Sequence, residues 1–247
     1  MIRELRSDRE VRAACGDDDL VVWAAQGLRG GGRAWVLGDA VVAGCPGVSR
    51  RDRLAVWGDV SCAVELVRHA LGELGATYRP LGDVGLVREV TAKLDGLEED
   101  GEFSWMSLPG DALAPAPGAG AGVGWLGGGA EPEVAALLAA EAPQSYAVPG
   151  EAGVRRWAGV RVGGVLAAVA ADAWSAPAVG LLAGVATRAS FRGRGLAGLV
   201  CGWLSWELVA GHGRAALMVD DGNAAAIGVY ERIGYRRRRL LASYVSG

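Results

Sequence analysis

Apolar positions along this chain recur with two periods, and the changes from one to the other mark out its elements. Runs at Leu20–Ala25, Arg33–Leu37 and Ala40–Ala43 read as strands, with Gly38-Asp39 turning between the last two. Arg53–Trp57 is another strand. Beyond it, Val64, Val67, Leu71 and Leu74 return at helical spacing, with Ser61 placed to cap the helix and His69 on its other face near Glu65 and Glu73. Tyr78–Leu81 is short and extended, Val84–Leu94 reads as a second helix, and Gly101–Leu108 alternates as a final strand. Residues 1–16, rich in arginine and glutamate, precede these as a polar helix or arm.

The residues from Pro109 to Gly120 are almost entirely proline, glycine and alanine, a composition that builds no packed structure of its own and reads as a linker. After it the pattern repeats. Gly122–Leu126 is a strand and Pro132–Ala140 a helix, and a hairpin turns about Gly163-Gly164 between Val154–Val162 and Val165–Ala171. A long buried strand follows at Val179–Thr187, then a helix with Leu196, Leu199, Val200, Trp203, Leu204 and Leu208 on one stripe. Ala215–Val219 as strand, a helix opened by Asn223, and a last strand from Tyr235 to Val245 complete the chain. Residues 20–108 and 122–247 therefore share one element order. The expected organisation is α/β with a mixed sheet, as two units in tandem: 1–108, a linker over 109–120, and 121–247.

The two units differ at one loop. Between the long strand and its helix the second carries Phe191-Arg192-Gly193-Arg194-Gly195-Leu196-Ala197. The first turn of a helix leaves about four backbone N–H groups unpaired at the positive end of its dipole, where a phosphate fits. Gly193 and Gly195 let successive N–H groups point inward, and Arg192 and Arg194 add positive charge. The first unit offers only Gly58-Asp59-Val60-Ser61 at the matching place, with a carboxylate and no arginine, so phosphate should be repelled there. Neither the G-x-x-x-x-G-K-[ST] loop of NTPases nor the dinucleotide G-x-G-x-x-G with its distant acid is present.

Arg192-x-x-Gly195-x-Ala197 after a strand resembles the (Gln/Arg)-x-x-Gly-x-(Gly/Ala) motif of the GNAT superfamily, the acyl-CoA-dependent N-acyltransferases. Asn223-x-x-Ala226-x-x-x-Tyr230-x-x-x-Gly234-Tyr235 resembles that family's second motif. The resemblance implies two GNAT-like domains in tandem, each a mostly antiparallel sheet flanked by helices, the first degenerate and the second catalytic. It implies that acetyl-CoA or another acyl-CoA is the co-substrate. The pyrophosphate would lie on Arg192, Gly193, Arg194, Gly195, Leu196 and Ala197, and the pantetheine arm along Val185, Ala186 and Thr187, with Asn223 also touching the carrier. Ala189 departs from the proline that relatives often place there. Tyr230 would be the general acid for the departing thiolate, and a phenol with an ordinary pKa near 10 keeps its proton at neutral pH.

Each of these residues has a plainer reading: Tyr230 as a core ring, Asn223 as a helix cap, the glycine loop as a helix start that holds nothing. The general base is not legible, since 178–187 holds no carboxylate. Asp172, Asp220 and Asp221 are candidates through water, against ordinary turn or cap roles. Glu207, mid-stripe among apolar residues, is expected to pair with an arginine, His212 reads as a turn residue, and Arg236–Arg239 as a solvated edge or, less simply, a contact for the 3′-phosphate of CoA or for an acidic acceptor.

Composition narrows the rest. At 247 residues, 51% apolar, the chain can bury a sizeable core, and a net charge of −3 gives no general attraction to nucleic acid or anionic membrane. Four scattered cysteines and two histidines form no zinc pattern, so no metal is expected and the thiols point to a reducing cytoplasm. The charged N-terminus shows no apolar signal segment. The expected activity is direct transfer of an acetyl group to a primary amine of a small molecule or peptide. The alternatives are a longer acyl donor or a non-catalytic acyl-CoA sensor or scaffold. Net acidity suits a cationic acceptor, and a homodimer would match relatives.

Overall fold

The computed structural model describes residues 1–112 and 122–246, and most of the expected linker, 113–120, lies outside them. In the first half the order is β1 (Arg3–Leu5), α1 (Asp8–Ala14), α2 (Asp19–Ala25), β2 (Arg33–Leu37), β3 (Ala40–Val48), β4 (Arg51–Trp57), α3 (Val60–Leu74), β5 (Tyr78–Asp83), α4 (Val84–Lys93) and β6 (Leu97–Pro109). The second half runs β7 (Val123–Trp125), α5 (Glu131–Glu141), β8 (Val154–Val162), β9 (Val165–Ala173), β10 (Gly180–Thr187), α6 (Leu196–His212), β11 (Arg214–Val219), α7 (Ala224–Ile233) and β12 (Arg236–Val245).

The tandem units share a single twelve-stranded sheet ordered β1-β2-β3-β4-β5-β12-β6-β11-β10-β9-β8-β7. Its centre is an exchange. The last strand of the first half, β6, lies against β11, while the last strand of the second half, β12, lies against β5. The two pair antiparallel with each other from Arg236↔Ser107 to Val245↔Leu97. Each half thereby covers an edge that the other would leave unpaired, and unpaired edges invite association. The β4–β5 and β10–β11 pairs are parallel, as a helical crossover between neighbouring strands requires.

Three apolar clusters line the sheet. One spans both halves and gathers Trp23, Trp105, Leu137, Trp157 and Leu240; the second packs α6 and α7 on β10 and β11; the third packs α3 and α4 in the first half. The halves are also pinned by polar contacts. Trp23 Nε1 donates to the Trp174 carbonyl at 2.9 Å, and Arg214 to Asp17 at 2.6 Å.

Several sequence expectations change here. Leu20–Ala25 is helical, in α2: Asp18 caps it by accepting from Val21 N at 3.0 Å, and every residue from Leu20 to Ala25 is buried, so no alternation was available to tell helix from strand. Residues 1–16 hold β1 as well as a helix. Asp59, not Ser61, caps α3, whose buried side is Ala63, Leu66, Val67 and Ala70, while His69 stands edge-on to Trp35 at 5.5 Å. Arg236–Arg239 do not lie on an edge, because β12 is an interior strand, although Arg236, Arg237 and Arg239 are exposed. Arg238 pairs with Asp18 at 2.5 Å, Arg237 donates to Ser104 and Asp221 at 2.6 and 2.9 Å, and Arg239 bonds Asp221 and Glu102. Among the described residues, no helix is long and apolar enough to cross a membrane.

Because the exchanged strands complete both halves, residues 1–112 and 122–247 expressed separately are expected not to fold as monomers, and to recover structure when mixed. Two separately folded monomeric halves, each with dispersed NMR spectra, would contradict the exchange.

Candidate active site

Strands β10 and β11 begin as neighbours and then part. They are paired only at Gly180↔Ala215 and Leu181↔Ala216. From Leu182 onward β10 keeps its partner β9 but none on the β11 side, and a bulge between Ala183 and Ala186 bends it away. Gly184 sits in that bulge at φ +62°, and a Cβ there would come within 2.6 Å of the Trp157 ring, so only glycine fits. The result is an opening through the sheet, edged by main-chain donors and acceptors with no ladder partner. In the first half the equivalent strands stay paired over four positions, from Asp52↔Tyr78 to Ala55↔Leu81.

The strand that bends away leads to the glycine loop. A 3-10 turn over Ala189–Phe191 delivers the chain to Gly193 and Gly195, both at φ +75°. Gly195 is the N-cap of α6 and supplies no side-chain cap, so the first-turn amides of that helix are bare. A Cβ at either glycine would meet nothing within 4 Å. Arg192 is braced: it donates to Glu141 at 2.6 Å, and the same carboxylate accepts from Ala189 N at 2.8 Å. Arg194 lies over the Phe191 ring at 5.2 Å and is exposed. At the end of β10, Thr187 Oγ1 is buried with no protein partner, which a carrier molecule lying along the strand would supply. Glu141 escaped the sequence reading, since one carboxylate at a helix end looks like any other.

On the α6–α7 side of the opening, Tyr230 is buried in one cluster with Leu182, Leu217 and Val219, the residues that flank the parting strands. Its ring meets that of Tyr235 at 6.0 Å. Tyr235 and Ser205 share a hydroxyl hydrogen bond of 2.8 Å, whereas the Tyr230 hydroxyl has no such partner among the described residues. Burial, with smaller contributions from Cys201 and Tyr235, holds the Tyr230 phenol well above its ordinary value. Asn223 caps α7, its side chain accepting from Ala226 N at 3.1 Å.

On the other side lies a cavity of about 580 Å³. Leu181–Gly184 of β10 and Met218–Asp220 of β11 form one wall; Arg51 and Arg53 of β4, Asp100–Phe103 of β6 and Gln144–Ala147 form the others. Of the three candidate carboxylates only Asp220 reaches it, exposed and accepting from Gly222 N at 2.6 Å. Asp172 is buried against Ser175 and Arg156, and Asp221 is held low by the Ser104 hydroxyl and by Arg237 and Arg239. Among the described residues Glu207 pairs with no arginine: it accepts from Trp125 Nε1 at 3.0 Å. His212 ends α6, with Nδ1 3.4 Å from the Pro177 carbonyl.

The family model described as FR47-like protein matches residues 159–244, the span from β8 to β12. No curated protein sequence matches the chain. Among solved structures, a GCN5-related N-acetyltransferase from Kribbella flavida is similar with a TM-score of 0.60 at 22% identity, over 92% of this chain and 95% of that one. A Drosophila protein gives 0.61 at 14%, over 99% and 98%. A GCN5-related N-acetyltransferase from Sphaerobacter thermophilus gives 0.56 at 13%, over 100% and 96%. At these identities the likeness is one of fold, and it extends over both halves.

Tyr230 is expected to stay protonated for as long as the protein is folded. In an alkaline absorbance titration, Tyr230→Phe should leave the native tyrosinate amplitude unchanged and reduce it only in denaturant; a smaller native amplitude would show that the phenol ionises in place.

Proposed function

We propose that this chain, a GNAT-superfamily protein by its fold and by the match over 159–244, transfers an acetyl group from acetyl-CoA directly to an amine. The observation that carries this is the parting of β10 and β11 beside the uncapped start of α6, a feature of the second half alone. Bare amides of Gly193–Ala197 suit a pyrophosphate, with Arg194 adding charge from above. The free edge of β10 through Val185, Ala186 and Thr187 suits the amide groups of a pantetheine arm, which can pair with it as an added strand would. An acyl-CoA held this way has its thioester in the opening, between the cavity on one face of the sheet and Tyr230 on the other.

The reaction then follows from which group lies on which side. The amine enters the cavity as an ammonium and loses a proton to water and from there to Asp220, the one candidate carboxylate placed on that side. Its lone pair attacks the thioester carbonyl carbon, forming the C–N bond; the C–S bond breaks, and Tyr230 gives its proton to the departing sulfur. Burial raises the Tyr230 phenol and raises a thiol beside it in the same direction, as it does Cys201, so the proton passes between two groups that the apolar surroundings both keep neutral. The phenolate left behind regains a proton from water as CoA leaves.

A covalent acyl-enzyme has no support in the thiols. Cys15 and Cys45 are each pushed up to about 11 by burial, Cys201 higher still, and Cys62 lies on α3 in the first half. The cavity volume leaves room for an acyl group longer than acetyl, and a series of acyl-CoA donors would rank them.

Tyr230→Phe is expected to lower turnover by about 100-fold, the lower range for loss of a general acid, while acetyl-CoA affinity by calorimetry stays near wild type. Unchanged turnover, read as thiol release, would remove the acid role.

A further inference from the structure

One group in the cavity has no explanation in acyl transfer. Arg53 is 7% exposed, its Nε is buried without a hydrogen-bond partner, and its guanidinium forms no ion pair among the described residues. Arginine is almost never buried unless paired. Alternation along β4 turns Arg53 to the same side of the sheet as Ala55, into the cavity rather than toward α3, against which Leu54 and Val56 pack. Arg51, two residues earlier on that side, also lines the cavity and has only a long contact of 3.4 Å to the Tyr146 hydroxyl.

Acids are close by but already engaged. Asp100 is taken by Arg79, and Glu102 by Arg88 at 2.6 Å and by Arg239. Asp220 is the cavity's one carboxylate without an arginine partner among the described residues. The cavity therefore holds two uncompensated cations on the β4 wall and one uncompensated carboxylate at the end of β11. Burial pushes the Arg53 guanidinium down to about 10, which still leaves it charged at neutral pH. A planar fork of donors in a dry site is the standard receptor for a carboxylate. With Asp100 and Glu102 engaged, the uncompensated groups are Arg51, Arg53 and Asp220, so a zwitterion meets both signs of charge, whereas a dianion such as a phosphate monoester leaves Asp220 facing a like charge.

We propose that the acceptor is a zwitterionic amine, an amino acid or close analogue, whose carboxylate is received by Arg53 and Arg51 while its ammonium faces Asp220. This rests on the cavity being the acceptor side of the transfer site. It assigns the first half a role in specificity, because β4 supplies both arginines. It also refines the expectation from net charge: the acceptor is cationic at its amine but anionic beside it. A volume of about 580 Å³ is in the range of small-molecule sites and suits one amino acid with an acetyl group better than a folded protein segment.

The test compares the common α-amino acids with their own carboxamides as acceptors, acetyl-CoA being the donor and free thiol the readout. At least one acid should exceed its amide by about 10-fold or more in kcat/KM, because the amide leaves the guanidinium unpaired. Arg53→Gln should bring that ratio close to one, mainly through KM, and Arg53→Lys should restore part of it; a role confined to folding would move acid and amide together. Amides that react as well as acids would overturn the proposal and leave acetyl transfer intact. Acetyl-CoA binding, measured separately by calorimetry, reports on the carrier site alone, and thiol release with the amides reports on transfer. If no panel member reacts, or Arg53→Gln does not fold, the side-chain Nε–H NMR signal of Arg53 in the wild-type protein decides. It should shift when a mixture of N-acetyl amino acids is added with CoA and stay put with the matching carboxamides; no shift with the acids would overturn the proposal.

Discussion

Two neighbouring parallel strands that stop pairing are the constraint on which the rest of this molecule depends. Once β10 leaves β11 after Leu181, the sheet opens between them, and the main-chain groups of Leu182–Thr187 on the β11 side need partners from elsewhere. The bulge at Gly184 makes the departure, and the Trp157 ring pressed against that glycine fixes its direction. The Arg192–Glu141–Ala189 brace then holds the following loop so that α6 starts at the opening with its amides bare. The unpaired strand edge and the bare helix start each cost folding stability by themselves. They persist because twelve strands and three packed clusters support them.

The strand exchange joins two halves of similar element order into one sheet. With β12 seated beside β5 and β6 beside β11, neither half is complete alone, and a cavity can be walled by both. In the first half the equivalent strands stay paired, and Asp59 caps α3 with its own carboxylate, accepting from Cys62 N at 3.0 Å. That helix start is satisfied internally and carries negative charge where a phosphate would sit. What the first half adds is the opposite wall, with the arginines of β4 turned toward the opening in the second.

Much of this was legible from local pattern. The hairpin about Gly163-Gly164, the strand–loop–helix at Phe191–Ala197 and the Asn223 cap are each written within a dozen or so consecutive residues, and each stands where the pattern put it. The misses have physical causes. Leu20–Ala25 is buried on every side, so helix and strand give the same uniform apolar run. Arg236–Arg239 were expected on an edge; three of the four are exposed, but β12 is interior to the sheet, and Asp18, Asp221 and Glu102 come from other parts of the chain to meet Arg237, Arg238 and Arg239. Glu207 found an indole rather than an arginine. The exchange of β6 and β12 is invisible to any local reading, because its pairs join residues more than a hundred positions apart, such as Arg236 and Ser107. Arg53 was hidden for the same reason: its isolation depends on which carboxylates other arginines have claimed.

The central claim is that an acyl-CoA is held by the bare amides at the start of α6 and by the free edge of β10. Backbone-amide NMR during titration with acetyl-CoA tests it residue by residue. The account predicts large shifts at Gly193, Gly195, Leu196 and Ala197 and smaller ones along Leu182–Thr187, with α3 unmoved. Shifts centred on Val60–Ala63 at the start of α3, or none at any of these positions at saturating carrier, would contradict it.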